Sequence, residues 1–263
     1  MAWARLGRVG AAFGALVSHA TVAAISLSHP EALNVGHRVW QNECGETVSG
    51  LTSWNSGEDF ASLGIGHFIW YPAGRAGPFE ESFPKFLAYA RGRGATLPAF
   101  APNDHCPWNS RAEFASAAGS EQMVQLRRFL AGTIDLQADF LVLRLQEALP
   151  KMLAVTPASE RAAIAKNFER VASSAHGCYA LIDYVNFKGE GVLATERYRD
   201  RGWGLLQVLE GMPRGVGDGA APDEFAASAA AVLRARVANA PPPRHEARWL
   251  PGWLHRVASY RKS

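Results

Sequence analysis

Residues 123–153 place apolar side chains at Leu126, Phe129, Leu130, Ile134, Phe140, Leu141, Leu145 and Leu149, a spacing of three and four that dries one face of a helix. A stripe of that length cannot be buried by its own turn and has to be covered by other elements, so it predicts a central scaffold helix, broken near Gly132 and ended at Pro150. The same pattern predicts helices over 157–173, 177–187, 202–209 and 223–238, with a last one after Pro251. Upstream, Ser28-His-Pro-Glu31 reads as a helix start, with Ser28 as cap, Pro30 in the first turn and Glu31 reaching back. Leu33, Val35, Val39 and Trp40 give that helix a buried face, and it ends near Glu43, Cys44 and Gly45.

From 46 to 69 the character changes, because Gly50, Asn55, Ser56, Gly57, Gly64 and Gly66 punctuate short apolar pieces. That is hairpin chemistry. Residues 72–110 form a Pro/Gly-rich insertion with a short helix expected at 80–92 and a cleft-rim role expected for the whole, and Ser110-Arg-Ala-Glu113 is a second capping box. No internal repeat or long linker divides the chain. The expectation is a mainly α (α+β) fold: a single domain over 25–263 with one small hairpin sheet.

Residues 1–24 stand apart, since Arg5 and Arg8 precede a small-residue apolar run ending Thr-Val-Ala-Ala. This reads either as a secretory signal, which would make the protein periplasmic or secreted, or as an N-terminal helix of a cytoplasmic one. Gly14, Ser18 and His19 interrupt it too soon for a membrane span. With 48% hydrophobic and 19% charged residues the 263-residue chain is a globular composition and not a disordered one. A net charge of +3 suits weak attraction to anionic wall polymers and is too small to argue for nucleic acid. Its three cysteines lie far apart with no Cys or His partner at metal-site spacing, so neither a metal nor another cofactor is expected.

A helix ending in a carboxylate, followed by a polar hairpin and then Ser62-Leu-Gly-Ile-Gly-His67, resembles phage-type lysozymes, members of the lysozyme-like superfamily. These carry a catalytic Glu at a helix end, a hairpin with an Asp, and a Thr-Ile-Gly-x-Gly-His stretch. A second stretch, Ala180-Leu-Ile-Asp-Tyr-Val-Asn-Phe-Lys-Gly-Glu190, is similar to their Ala-Leu-x-x-x-x-Phe-Asn-x-Gly helix on the far side of the cleft, with Asn186 and Phe187 in reversed order. The two stretches cover about a third of the chain. The resemblance implies a lysozyme-like helical domain with its hairpin beside an active-site cleft, and Glu43 as general acid. The hairpin position that matches the family's Asp is Ser56, so the second carboxylate would come from Glu58, then Asp59, with Glu46 a further candidate. Ser62 stands where the family has Thr, a hydroxyl that orients the attacking water.

His67 is expected to tie the hairpin to a neighbouring helix or to line the substrate site, and Gly64 and Gly66 to let the backbone approach a sugar. The chain has 8 Trp, and among its aromatics Trp40, Trp54, Trp70, Tyr71, Trp108, Tyr184 and Trp203 offer surface suited to pyranose stacking, with Trp54 and Tyr184 the expected platforms. Gly204-Leu-Leu-Gln-Val208 resembles a Gly-Leu-Met-Gln-Val segment of goose-type lysozymes and lytic transglycosylases, which makes Gln207, with Asn186, a candidate sugar contact. Arg248-Trp-Leu-Pro-Gly-Trp253 should dock on the core. If the protein is exported, Cys106 and Cys178 are the pair expected to form a disulfide, because Cys44 sits beside Glu43.

The implied activity is a monomeric glycoside hydrolase acting on a β-1,4-linked N-acetylated polysaccharide, peptidoglycan before chitin or chitosan, with a lytic transglycosylase or a non-catalytic glycan binder as alternatives. An open cleft across Glu43 favours the enzyme. A salt bridge from Arg38 to Glu43 favours the binder.

Overall fold

The computed structural model describes residues 25, 27–77, 79–101, 105–214 and 218–262, so the 1–24 leader expectation lies outside it. Among the described residues the fold is mainly helical, 61% helix and 6% strand, with a small antiparallel sheet. Helix α1 (His29–Cys44) begins where the capping chemistry places it: the Glu31 carboxylate accepts from both the Ser28 N–H and the Ser28 hydroxyl, at 2.8 and 2.6 Å. It stops at Gly45, which takes the left-handed conformation (φ 57°) and returns its N–H to the Gln41 carbonyl.

After a 3-10 turn at Ser49–Leu51 the chain forms β1 (Thr52–Ser53), β2 (Ala61–Leu63) and β3 (Phe68–Trp70), antiparallel in that order, with Ser53 opposite Ser62 and Ser62 opposite Ile69. Helices α2 (Phe83–Gly92), α3 (Arg111–Ser116), α4 (Glu121–Ala131), α5 (Ile134–Val155), α6 (Ala158–Ala172) and α7 (Ala175–Lys188) follow. A two-residue hairpin, β4 (Arg197–Tyr198) and β5 (Arg201–Gly202), leads to α8 (Leu205–Glu210), α9 (Ala221–Asn239) and α10 (Leu250–Ala258).

The long apolar stripe becomes α4 and α5, and α5 packs against α1, α2, α6 and α7. The break falls at Gly132 and Thr133 as the pattern predicts, but α5 runs through Pro150 to Val155. A helix tolerates an interior proline when burial outweighs the one lost hydrogen bond, and Leu149 and Met152 on either side are fully buried. Helix α1 crosses α5 closely, since a Cβ on Gly36 would lie 3.0 Å from the Ala138 methyl. Helix α8 starts three residues later than predicted because Gly202 belongs to β5.

The 72–110 segment contributes α2 to the core, where Phe83 and Phe86 lie 4.8 Å from the Trp70 ring and 5.1 Å from the Phe68 ring respectively, and its residues 93–99 line a groove. One expectation is corrected. Cys106 and Cys178 are not paired; all three cysteines are free and buried.

A buried amide ties the β2–β3 turn to the scaffold. Gln137 of α5 accepts from the Ile65 N–H at 2.9 Å and donates to the Leu130 carbonyl at 2.6 Å. This fills the space under the β2–β3 turn: a Cβ on Gly64 would stand 2.3 Å from Gln137 Oε1, and one on Gly66 would stand 2.5 Å from the Phe68 ring. These glycines admit protein side chains, not a sugar. Gly64 also has φ 69°. Gly64→Ala is therefore expected to cost about 3 kcal/mol, combining left-handed strain with a displaced buried hydrogen bond. Urea denaturation measures this, and a loss below about 1 kcal/mol contradicts the packing.

Candidate functional site

The last turn of α1 presents Asn42, Glu43 and Cys44 to the hairpin and to the C-terminal helix. Thr47 staples this end by donating from both its N–H and its hydroxyl to the Cys44 carbonyl, at 3.2 and 2.9 Å, and its own carbonyl accepts from the Trp40 indole at 3.2 Å. A carboxylate at a helix C-terminus faces the negative end of the helix dipole and needs a cation nearby. Helix α10 supplies one.

Arg256 Nη2 donates to Glu43 Oε1 in a short contact. The same guanidinium is bidentate on Asp183, with Nε to Oδ2 and Nη2 to Oδ1 both at 2.8 Å. Asp183, on α7, is fully buried, and its remaining capacity is taken by the Tyr260 hydroxyl at 2.5 Å and the Asn42 amide at 3.1 Å. Burial alone favours a neutral Arg256, but the hydrogen bonds and charge of Asp183, with Glu43 added, outweigh it and hold the guanidinium protonated far above its usual range. Burial first, and then the Asp183 charge, push the Tyr260 hydroxyl well above the usual tyrosine range, so it stays a donor.

The second oxygen of Glu43, Oε2, lies 3.4 Å from His67 Nδ1, and the Glu43 side chain is 12% exposed against 30% for His67. His67 Nε2 in turn lies 3.8 Å from Cys44 Sγ. A Cys, His and Glu in line have the order of a thiol-nucleophile triad. The thiol does not have the chemistry: burial, then the charge of Glu43, push it up to about 12, and a nucleophile must be a thiolate. Lys188, at the end of α7, has its Nζ between the Phe187 and Trp253 rings at 3.8 and 3.5 Å, while Arg256 stacks on Phe187 at 4.4 Å. Burial, reinforced by Arg236 and Arg256, pushes that amine down to about 6.

Of the residues singled out from sequence, the structure brings His67 to Glu43. Glu58 accepts from Asn55 at 3.1 Å within its own turn, and Asp59 is exposed and paired with Arg75 at 3.2 Å. Glu46 faces outward to His37 at 3.4 Å. Among the described residues the ion pairs of Glu43 are with Arg256 and His67, and no other carboxylate joins it across an open cleft. Ser62 is buried in the middle strand, 3% exposed, with its carbonyl accepting from Ser53.

Three expected sugar contacts have structural employment instead. Tyr184 is fully buried with its hydroxyl on the Trp203 carbonyl at 2.9 Å; Trp54 is buried, donates to the Glu58 carbonyl at 2.7 Å and meets Phe114 edge-on. Gln207 closes the α8 cap, accepting from Gly204 N–H at 3.0 Å and donating to the Gly191 carbonyl at 3.3 Å. Asn186 keeps a buried Nδ2 with no acceptor among the described residues. Arg38 does not reach Glu43; it lies 2.9 Å from His176 Nδ1 and covers the Tyr179 ring at 3.7 Å. A groove of about 680 Å3 between the α2–α3 connection and the α4–α5 junction is lined by Arg93, Leu97, Gln125, Arg128 and Asp135, and none of Glu43, His67 or Arg256 belongs to it.

Sequence reasoning missed the Asp183–Arg256–Tyr260 cluster. The signal was present, since Asp183 is a lone carboxylate amid Leu181, Ile182, Tyr184 and Val185, and a charge on an apolar face needs a partner. Comparison of the chain with protein-family models, with curated proteins and with solved structures finds no match. Because Asp183 is wholly desolvated, Asp183→Ala leaves Arg256 without its main partner and is expected to cost about 3–5 kcal/mol. Thermal unfolding reads this out, and an unchanged melting temperature contradicts it.

Proposed function

We propose that the protein cleaves a β-1,4-linked N-acetylated glycan, peptidoglycan first, with Glu43 as the proton donor. The observation that carries this reading is the placement of a shielded carboxylate at the end of α1, against the hairpin turn that ends in His67, with each oxygen held by a different side chain. Oriented carboxyls of this kind serve glycosidic cleavage: the acid protonates the leaving oxygen, the C1–O bond breaks, and the oxocarbenium-like carbon is captured. A proton donor must be neutral, and Glu43 bound to a guanidinium is half of a charge pair. Substrate therefore has to take the place of Arg256 at Oε1, and Arg256 keeps its two bonds to Asp183 when that happens.

The nucleophile that captures C1 separates two versions of the reaction. Glu58 and Asp59 are engaged elsewhere in the hairpin, which favours the single-carboxylate version, in which a hydroxyl of the substrate itself closes on C1 and leaves an anhydro-sugar, as in a lytic transglycosylase. Water as nucleophile gives a reducing end, the muramidase outcome. A second reading has its own support: the charge cluster that holds Glu43 is also what a clasp for the C-terminal helix requires, and a glycan binder on this fold has no need of a second carboxylate. Export past the cytoplasmic membrane, which the basic-then-apolar residues 1–24 would direct, fits a wall substrate. Among the described residues no helix is long and apolar enough to cross a membrane.

Mass spectrometry of products from peptidoglycan, chitin and chitosan tests the proposal. Glu43→Gln, which preserves shape and an acceptor for Arg256, is expected to lower turnover at least about 100-fold with little change in melting temperature. Full activity in that variant overturns the assignment of Glu43, and silence of the native protein on all three polymers supports the binder.

A further inference from the structure

The two oxygens of Glu43 have unequal partners. Oε1 belongs to Arg256 and Oε2 faces His67 Nδ1 at 3.4 Å, so when substrate displaces the guanidinium only the imidazole still holds the carboxyl in place. The far nitrogen of the same ring faces Cys44 Sγ at 3.8 Å, and that sulfur has a second acceptor at the same distance, the Gly64 carbonyl. A neutral imidazole carries one N–H and one lone pair, and which nitrogen has which is decided by the partner of the other. We propose that His67 is a positioning residue for Glu43, donating from Nδ1 to Oε2 in a tautomer that the Cys44 thiol fixes at Nε2. The inference rests on the reading of Glu43 as proton donor and deepens it.

The thiol is a competent donor because burial keeps it protonated, up to about 12. With Glu43 ionised, S–H points to Nε2 and Nδ1–H points to Oε2. With Glu43 protonated, the proton sits on Oε1, facing the substrate oxygen that has replaced Arg256, while Nδ1–H still donates to Oε2 and S–H still points to Nε2. The two arrangements differ by one proton, which Oε1 takes from solvent and gives to the leaving oxygen. Every donor is matched in both, so the ring keeps one tautomer while the proton on Oε1 comes and goes. The backbone at His67 is held for this: φ is 46°, left-handed for a residue with a β-carbon, and its N–H bonds the Gly64 carbonyl at 3.3 Å. Such strain costs about 1 kcal/mol and persists only where surroundings impose it.

Nitrogen-15 NMR of the full chain at neutral pH, with histidine labelled, tests the tautomer. The expected result is a neutral His67 with its proton on Nδ1, retained in Cys44→Ser and lost toward the Nε2–H form in Cys44→Ala; an Nε2–H ring in the native protein overturns the proposal. In turnover, His67→Ala is expected to lower kcat about tenfold at unchanged KM, the loss of one oriented hydrogen bond, and His67→Gln to recover part of it. A loss confined to KM or to melting temperature also overturns it. Should Glu43→Gln stay fully active, the catalytic reading falls while the NMR result still decides the hydrogen bond, so the two failures are told apart.

Discussion

Asp183 is a carboxyl with no access to water, and α7 can hold it there only because other elements bring it partners. Arg256 and Tyr260 come from the end of the chain and Asn42 from its first described helix, so satisfying one carboxylate draws α1, α7 and the α10 region to a common point. Glu43 is the outermost member of this arrangement. It does not build the cluster; it inherits from it an arginine already committed to a better partner. That order of dependence explains why a carboxylate at the unfavourable end of a helix is tolerated.

Opposite the charge cluster stands an apolar constraint of equal consequence. Gln137 and the Phe68 ring occupy the volume that side chains at Gly64 and Gly66 would need, so the turn between β2 and β3 is pressed onto α5 and its last residue, His67, is delivered to the end of α1. The site is thus the meeting point of two independently fastened parts, a hairpin fastened by packing and a C-terminal helix fastened by charge.

Elements with strong local signals were legible before the structure. The Ser28-to-Glu31 cap, the α4–α5 break at Gly132 and the change to hairpin chemistry after Glu46 each follow from residue types acting over a few positions. Pro150 was misread because its local penalty is real and tertiary burial overrides it. At the site, Glu43 and His67 could be singled out because the helix end and the Ser62-to-His67 stretch resemble a family motif. Arg256 could not, since a basic residue in a final helix looks like any solvated one until its partner, many helices earlier, is known. Tyr184 and Trp54 were misassigned for a related reason: an aromatic ring has the same pattern whether it stacks on a sugar or fills a core.

The separation in sequence between Arg256 and Glu43, 213 residues, also orders events in time. During synthesis Glu43 emerges 213 residues before the cation that completes its surroundings. Its pocket closes only after α10 has left the ribosome and found Asp183, a late, non-local step of the slow kind. A chain interrupted before residue 256 carries the carboxylate but not the setting that holds it, so the site is assembled by α10 and not by the hairpin alone.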